Sequence, residues 1–355
     1  MLTVILDHLK TVAPDGANVP ILQPADPFLE TVGEDMRRRI FMTESADGSL
    51  KCLRPEFTIP ICLQHGNKPA RYGYGGIVFR QSREGAVEFL QAGLEDLGNT
   101  NTAEADAKCL ADMLGALAKV GINNPAVSLG DQNLFGVVVE SLKLPAEIAA
   151  RLVRNFGEPK QIERLIDILE SKQNGEQGND EAHKLAVSGD EATLIAHVES
   201  LMTTGNLSPK TGRSPEAIAK RMIDKTRDAS FRLEKQQAAI LRNYLALELP
   251  FETAADELAK FAKDSGLIFG DRLETFVERV AQLKILGVAL NNVTFKASFG
   301  RKLDYYTGVL FEAEVDGISV AGGGRYDRLC SLLGSDKPVP AVGFSISLDR
   351  VEEAT

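Results

Sequence analysis

The stretch 299–350 constrains the fold of this chain more than any other. It contains VLFEAEV, which alternates apolar and polar residues as a half-buried strand does. ISVAGGGRYD follows as a second strand, expected to run into a glycine turn, and AVGFSISL reads as a third, with Gly343 in its interior. Together they predict an antiparallel sheet that carries arginines, tyrosines and a bare glycine surface. Glycine has no Cβ, so backbone there can approach a ligand closely. Such a surface suits a small zwitterion together with a phosphate.

The 355 residues suffice for one large core or two modest ones, and 25% charged against 44% hydrophobic residues is ordinary for a globular chain. No apolar run reaches the ~18 residues of a membrane span. The opening MLTVILDHLKTV mixes acid and base and lacks the pattern of a signal peptide, so a cytoplasmic location is expected. Cys52, Cys62, Cys109 and Cys330 are scattered, and none pairs at ligand spacing with His8, His65, His183 or His197. Neither a metal nor a cofactor is expected. The net charge of −10 argues against a broad phosphate-binding face.

Along the chain, three prolines keep VPILQPADPF extended before Glu30, and a short charged helix follows. LKCLRPEFT reads as a strand entering a turn, and TIPICLQH as a helix with Thr58 at its cap. Read alone, Glu56 and Thr58 at such a junction are a surface acid and a helix cap. The segment 69–98 reads as a hairpin, with Gln91 and Glu95 four apart on one strand face. The stretch 101–122 is a strong helix, AVSLGD a strand, and 133–156 and 159–169 amphipathic helices. From 171 to 261 the pattern is helical, with no catalytic signature and a polar run at 171–184. A helix at 272–286 leads back to the C-terminal strands.

Taken together, LRPEFT, the 69–98 hairpin, RKLDYYTG, AGGGRYD and GFSISLDR resemble the histidyl-tRNA synthetase family. The resemblance covers about 1–131 and 265–353. It implies an α+β fold, a class II aminoacyl-tRNA synthetase-like antiparallel sheet flanked by helices, as one core domain with a helical insertion at about 140–265. It also implies that histidine binds at Glu56, Thr58, Arg80, Gln91, Glu95, Arg301, Tyr305 and Tyr306, with Glu95 at the imidazole. Arg80 and Arg350 match phosphate-binding positions, and 18–43 matches the segment that forms the dimer interface.

Two departures narrow the expectation. The loop QSREGAVEFL is short and lacks the Pro-Gln-x-Gly-Arg-x-Arg run of synthetases, and only five residues follow Arg350 where those enzymes carry an anticodon-binding domain. The chain then resembles the branch of the family that serves as regulatory subunits of short-form ATP phosphoribosyltransferase. That branch implies a non-catalytic homodimer inside a hetero-oligomer with the catalytic subunit. It would bind L-histidine but no tRNA and no membrane, and would be required for activity and feedback inhibition of the first step of histidine biosynthesis. The alternative is a histidine-activating, adenylate-forming enzyme, since Arg80, Arg301 and Arg350 are all present to stabilise phosphoryl charge. The glycine run 322–324 is the expected moving part.

Overall fold

The computed structural model describes all residues except 83–84, 172–180, 205–213 and 302–304. Its strands are β1 (Asp15–Gly16), β2 (Leu22–Pro24), β3 (Met42–Glu44), β4 (Leu50–Leu53), β5 (Ala70–Phe79), β6 (Glu88–Leu97), β7 (Ala126–Asp131), β8 (Glu248–Pro250), β9 (Val293–Lys296), β10 (Val309–Val315), β11 (Ile318–Arg325) and β12 (Ala341–Ser347). Nine of them form one sheet in the order β1-β5-β6-β12-β11-β10-β7-β9-β8, and β2-β4-β3 form a small second sheet. The five central strands from β5 to β10 are antiparallel, while β1 joins β5 and β9 joins β7 in parallel. The antiparallel, helix-flanked architecture agrees with the expectation from sequence.

The hairpin β5–β6 pairs ten residues on each strand, from Ala70↔Leu97 to Phe79↔Glu88. One face of the sheet is covered by the helices Leu2–Val12 and Thr102–Ala118. The first lies so close that a Cβ at Gly75 would stand 2.8 Å from the Leu6 side chain. The helix Thr102–Ala118 buries Ala105, Cys109, Leu110, Met113 and Leu117, a stripe with helical spacing.

Under that helix lies a buried ionic cluster. Arg279 pairs with Asp106 at 2.8 Å and with Asp131 at 3.2 Å. Arg325 pairs with the other Asp106 oxygen at 2.7 Å and with Asp327 at 2.8 Å. The cluster ties four elements together: the helix Thr102–Ala118, β7, the helix Asp271–Ile285 and the end of β11. Burial pushes the Asp131 carboxyl up from its ordinary value, and Arg279 opposes that shift.

Several local readings change. The three glycines 322–324 are not a turn: Gly322 pairs with Glu312 and Ser345, and Gly324 with Leu310 and Gly343. Ladder hydrogen bonds on both sides hold them in mid-strand, so this segment cannot act as a closing flap. The helix Asp26–Thr31 begins inside the stretch expected to be extended, because Pro27 sits in its first turn, where a missing N–H is harmless. β8 lies within the segment read as helical; at three residues it is too short to show a period. Part of the polar run 171–184 and part of RKLDYYTG lie outside the described residues.

By its internal contacts the chain divides into a first unit of Met1–Val138, Phe156–Glu158 and Asn243–Thr355 and a second of Val139–Asn155 and Pro159–Arg242. The second unit is helical and packs a small core around Ala186, Leu194, Val198, Met202 and Ala219. On its surface Arg242 pairs with Glu163, Asp167 and Glu170 at 2.6–2.8 Å.

Asp106 is the partner shared by both buried arginines. Asp106→Ala leaves Arg279 and Arg325 without it, and breaking a buried pair from one side costs about 3–5 kcal/mol. Chemical denaturation is expected to show a loss of that size; a loss below about 1 kcal/mol is the range of an exposed pair and would remove the cluster's structural role.

Candidate functional site

On the sheet face away from the helix Leu2–Val12, residues align in rows across β10, β11, β12, β6 and β5. One row runs Glu312, Gly322, Ser345, Gly93, Tyr74; the next runs Leu310, Gly324, Gly343, Glu95, Tyr72. The glycines in these rows are not bare. A Cβ at Gly322 would collide with the Arg301 guanidinium, one at Gly343 with the Glu95 carboxylate, and one at Gly93 with the Tyr74 ring and hydroxyl. Each missing side chain therefore makes room for a long polar one that lies across the sheet.

The rim comes from the helix Thr58–His65. Its first backbone N–H groups, those of Thr58 and Ile59, donate to the Glu56 carboxylate at 2.7 and 2.9 Å. Glu56, rather than Thr58, caps this helix, and a carboxylate at a helix N-terminus also meets the positive end of the dipole. Burial pushes the Glu56 carboxyl up, and the two backbone donors oppose the shift. The Thr58 hydroxyl is thereby free to point inward, where it donates to Glu95 Oε1 at 2.7 Å. Tyr326 donates its hydroxyl to Glu95 Oε2. Glu95 is 1% exposed. Burial raises its pKa from 4.5 to about 8; Tyr326 and Thr58 oppose the rise, and neighbouring Glu56 adds to it.

Above this floor is a cavity of about 370 Å³, a size suited to a small ligand. Glu56, Thr58, Arg80, Gln91, Arg301, Tyr305 and Tyr306 all line it. So seven of the eight residues expected to bind histidine converge. Glu95 lies behind the wall, reached through Thr58 and Tyr326. Both Tyr305 and Tyr306 are buried, with ring centres 5.1 Å apart. Burial pushes the Tyr306 hydroxyl up to about 12, so it remains a hydrogen-bond donor at any ordinary pH.

A contiguous chamber of about 200 Å³ is lined by Arg39, Arg80, Arg301 and Arg350, with Ser319 and Ser347. Three of these arginines are anchored to backbone carbonyls: Arg39 to Gln81 at 3.1 Å, Arg80 to Pro55 at 2.8 Å and Arg350 to Ser319 at 3.1 Å. Among the described residues these three have no carboxylate ion pair, so their charge faces the chamber. Burial lowers the Arg80 pKa, with Arg39 and Arg301 adding to the fall against the pull of Glu56. Sequence reading missed Arg39, Tyr74 and Tyr326 as parts of the site. Tyr326 stood within AGGGRYD, but the expected turn concealed its aim; Arg39 carries no signal beyond an RRR run.

Sheet order and site geometry define a class II synthetase-like protein. The histidyl-tRNA synthetase family model matches residues 15–222 and 198–351. Among solved structures, one titled an ATP phosphoribosyltransferase regulatory subunit/histidyl-tRNA synthetase, from Bacillus halodurans, aligns with TM-score 0.68 and 20% identity over 99% of this chain and 78% of that one. The histidyl-tRNA synthetase of Nostoc sp. aligns with TM-score 0.65 and 16% identity over 99% and 70%. At such identities these two show the fold. Closer in sequence is the ATP phosphoribosyltransferase regulatory subunit of Allorhizobium ampelinum, 46% identical over 99% of this chain and 96% of the relative. That of Sinorhizobium fredii is 45% identical over 98% and 94%. The chain belongs to the ATP phosphoribosyltransferase regulatory subunit family, a branch of the histidyl-tRNA synthetase-like proteins. Its relatives are named as regulatory rather than catalytic subunits, as the sequence reading anticipated.

The raised pKa of Glu95 makes stability depend on pH. Its neutral form is favoured in the fold, so its contribution is fully present below about pH 4.5 and is lost as pH rises through about 8. Glu95→Gln keeps the neutral shape. Denaturation midpoints measured from about pH 6 to 9 are expected to fall in the wild type and to fall less in the variant. Equal slopes would mean that Glu95 is already ionised throughout this range.

Proposed function

We propose that this chain binds L-histidine in the 370 Å³ cavity and, as the regulatory subunit of a short-form ATP phosphoribosyltransferase, is required for the catalytic subunit's activity and for its feedback inhibition. The reading is carried by the cavity's composition: an acid, hydroxyls, an amide and arginines converge in the arrangement a histidine zwitterion needs. Arg301 takes the α-carboxylate. Glu56 and Thr58 face the ammonium; each Glu56 oxygen accepts one helix N–H and keeps a second lone pair. The imidazole lies toward Glu95 beneath Thr58, with Tyr305 and Tyr306 along its faces.

The names of the relatives support the partner, a short-form catalytic subunit, and with it a place in histidine biosynthesis. A homodimer within a hetero-oligomer follows from the same family reading, with the segment 18–43 at the two-fold interface. The arginine chamber suits a phosphate held by Arg80 and Arg350 beside the bound amino acid. A net charge of −10 argues against tRNA as a ligand.

For histidine to regulate, it must bind two states of the complex unequally, since equal affinity shifts nothing. Because β11 is held on both edges, the change that distinguishes the states lies in the rim around Glu56 and Thr58 rather than in the glycine run.

Calorimetry on the purified chain is expected to show L-histidine binding that weakens roughly tenfold or more in Glu95→Ala, which removes the acceptor that holds the Thr58 and Tyr326 hydroxyls behind the cavity wall. No heat at millimolar histidine would sink the histidine reading. Co-expression with a short-form ATP phosphoribosyltransferase is expected to give a co-purifying complex whose activity exceeds that of the catalytic chain alone. Light scattering that shows no association, with both chains folded, would sink the subunit reading.

A further inference from the structure

Arg301 is held differently from the other arginines of the site. Arg39, Arg80 and Arg350 are each anchored to a backbone carbonyl. Arg301 instead pairs with a side chain, Glu312 Oε2, at 3.3 Å from Nη1. The distance is that of an ion pair, but Nη1 makes no aligned hydrogen bond, so the contact is electrostatic and leaves the Nη1 donors unspent. Both side chains are about three-quarters buried, at 24% and 22% exposure, which weakens solvent screening.

The sheet register explains the pairing. Glu312 on β10 stands directly opposite Gly322 on β11, and the guanidinium lies over Gly322, in the space a Cβ would take. Arg301 lines both the cavity and the chamber, whereas Glu312 lines neither. The carboxylate therefore grips Arg301 from outside the ligand space and does not compete with a ligand for it.

We propose that Glu312 is a positioning residue, which together with the vacancy at Gly322 aims Arg301 at the carboxylate of the bound amino acid. This rests on the histidine reading given above. It adds a specificity consequence: Glu312 bears on ligands that carry a carboxylate and not on those that lack one.

The test compares L-histidine with histidinol, which keeps the imidazole and the ammonium but has an alcohol in place of the carboxylate. Calorimetry on the full chain is expected to show Glu312→Gln weakening L-histidine roughly tenfold while histidinol changes less than about twofold. Gly322→Ala leaves Glu312 in place but displaces the guanidinium, and it is expected to give the same split. It carries the test alone if Glu312→Gln fails to fold. Equal losses for both ligands, or unchanged L-histidine affinity in either folded variant, would overturn the positioning role. A wild-type chain that binds neither ligand would overturn the histidine reading, and this inference with it.

Discussion

Across the floor of the site, room for each polar side chain is made by a Cβ missing from its neighbour. The face of a sheet is normally filled by side chains standing upright from successive rows. Here Gly322, Gly343 and Gly93 break that filling, and Arg301, Glu95 and Tyr74 lie flat in the gaps. Long polar groups can then be buried without being pushed into solvent, and their reach is fixed by backbone register. The aim of Arg301, the burial of Glu95 and the shape of the cavity all depend on those vacancies. An alanine at any of them would force a collision between a methyl group and a functional group.

The same strand serves two environments. At the end of β11, Arg325 enters the ionic cluster beneath the helix Thr102–Ala118, while the next residue, Tyr326, turns to Glu95. A charged core on one face and a ligand wall on the other are thus joined by a single peptide unit. Buried ion pairs are weak evidence for stability, since desolvation offsets much of the attraction, but they fix geometry when every member has a partner. The four arginines of the chamber sit in a chain with ten more acids than bases, so the positive charge gathered there is local.

Much of this was legible in the sequence. Period-two alternation located β10, AVGFSISL was read as the strand that is β12, the hairpin β5–β6 was expected over 69–98, and seven of the eight family-matched residues line one cavity. The errors have physical causes. Three glycines in a row suggest a turn when conformational freedom is the only consideration, but here they answer a steric demand from Arg301 and from the backbones of the adjacent strands. Thr58 looked like a cap, but Glu56 two residues earlier has the reach and the charge to take both N–H groups, so the hydroxyl was released for another task. The burial of Glu95 was not legible, because it depends on what lies over it in space, and Tyr326 is 231 residues away in sequence. Glu312 gave no sign of its role, because the register that sets it opposite Gly322 is not visible in composition or period.

The sheet order carries a consequence for synthesis. β12 lies between β6 and β11, so the strand made last fills the middle of the sheet. While the ribosome is still extending the chain, β6 presents an open edge along ten residues of backbone, and the hairpin it forms with β5 has no partner on that side. Contacts this distant in sequence form slowly, and unpaired strand edges invite association with other chains. The helical segment and the strands that follow it must all emerge before Ala341–Ser347 closes the gap. The nascent chain therefore has no complete ligand site until β12 docks between β6 and β11.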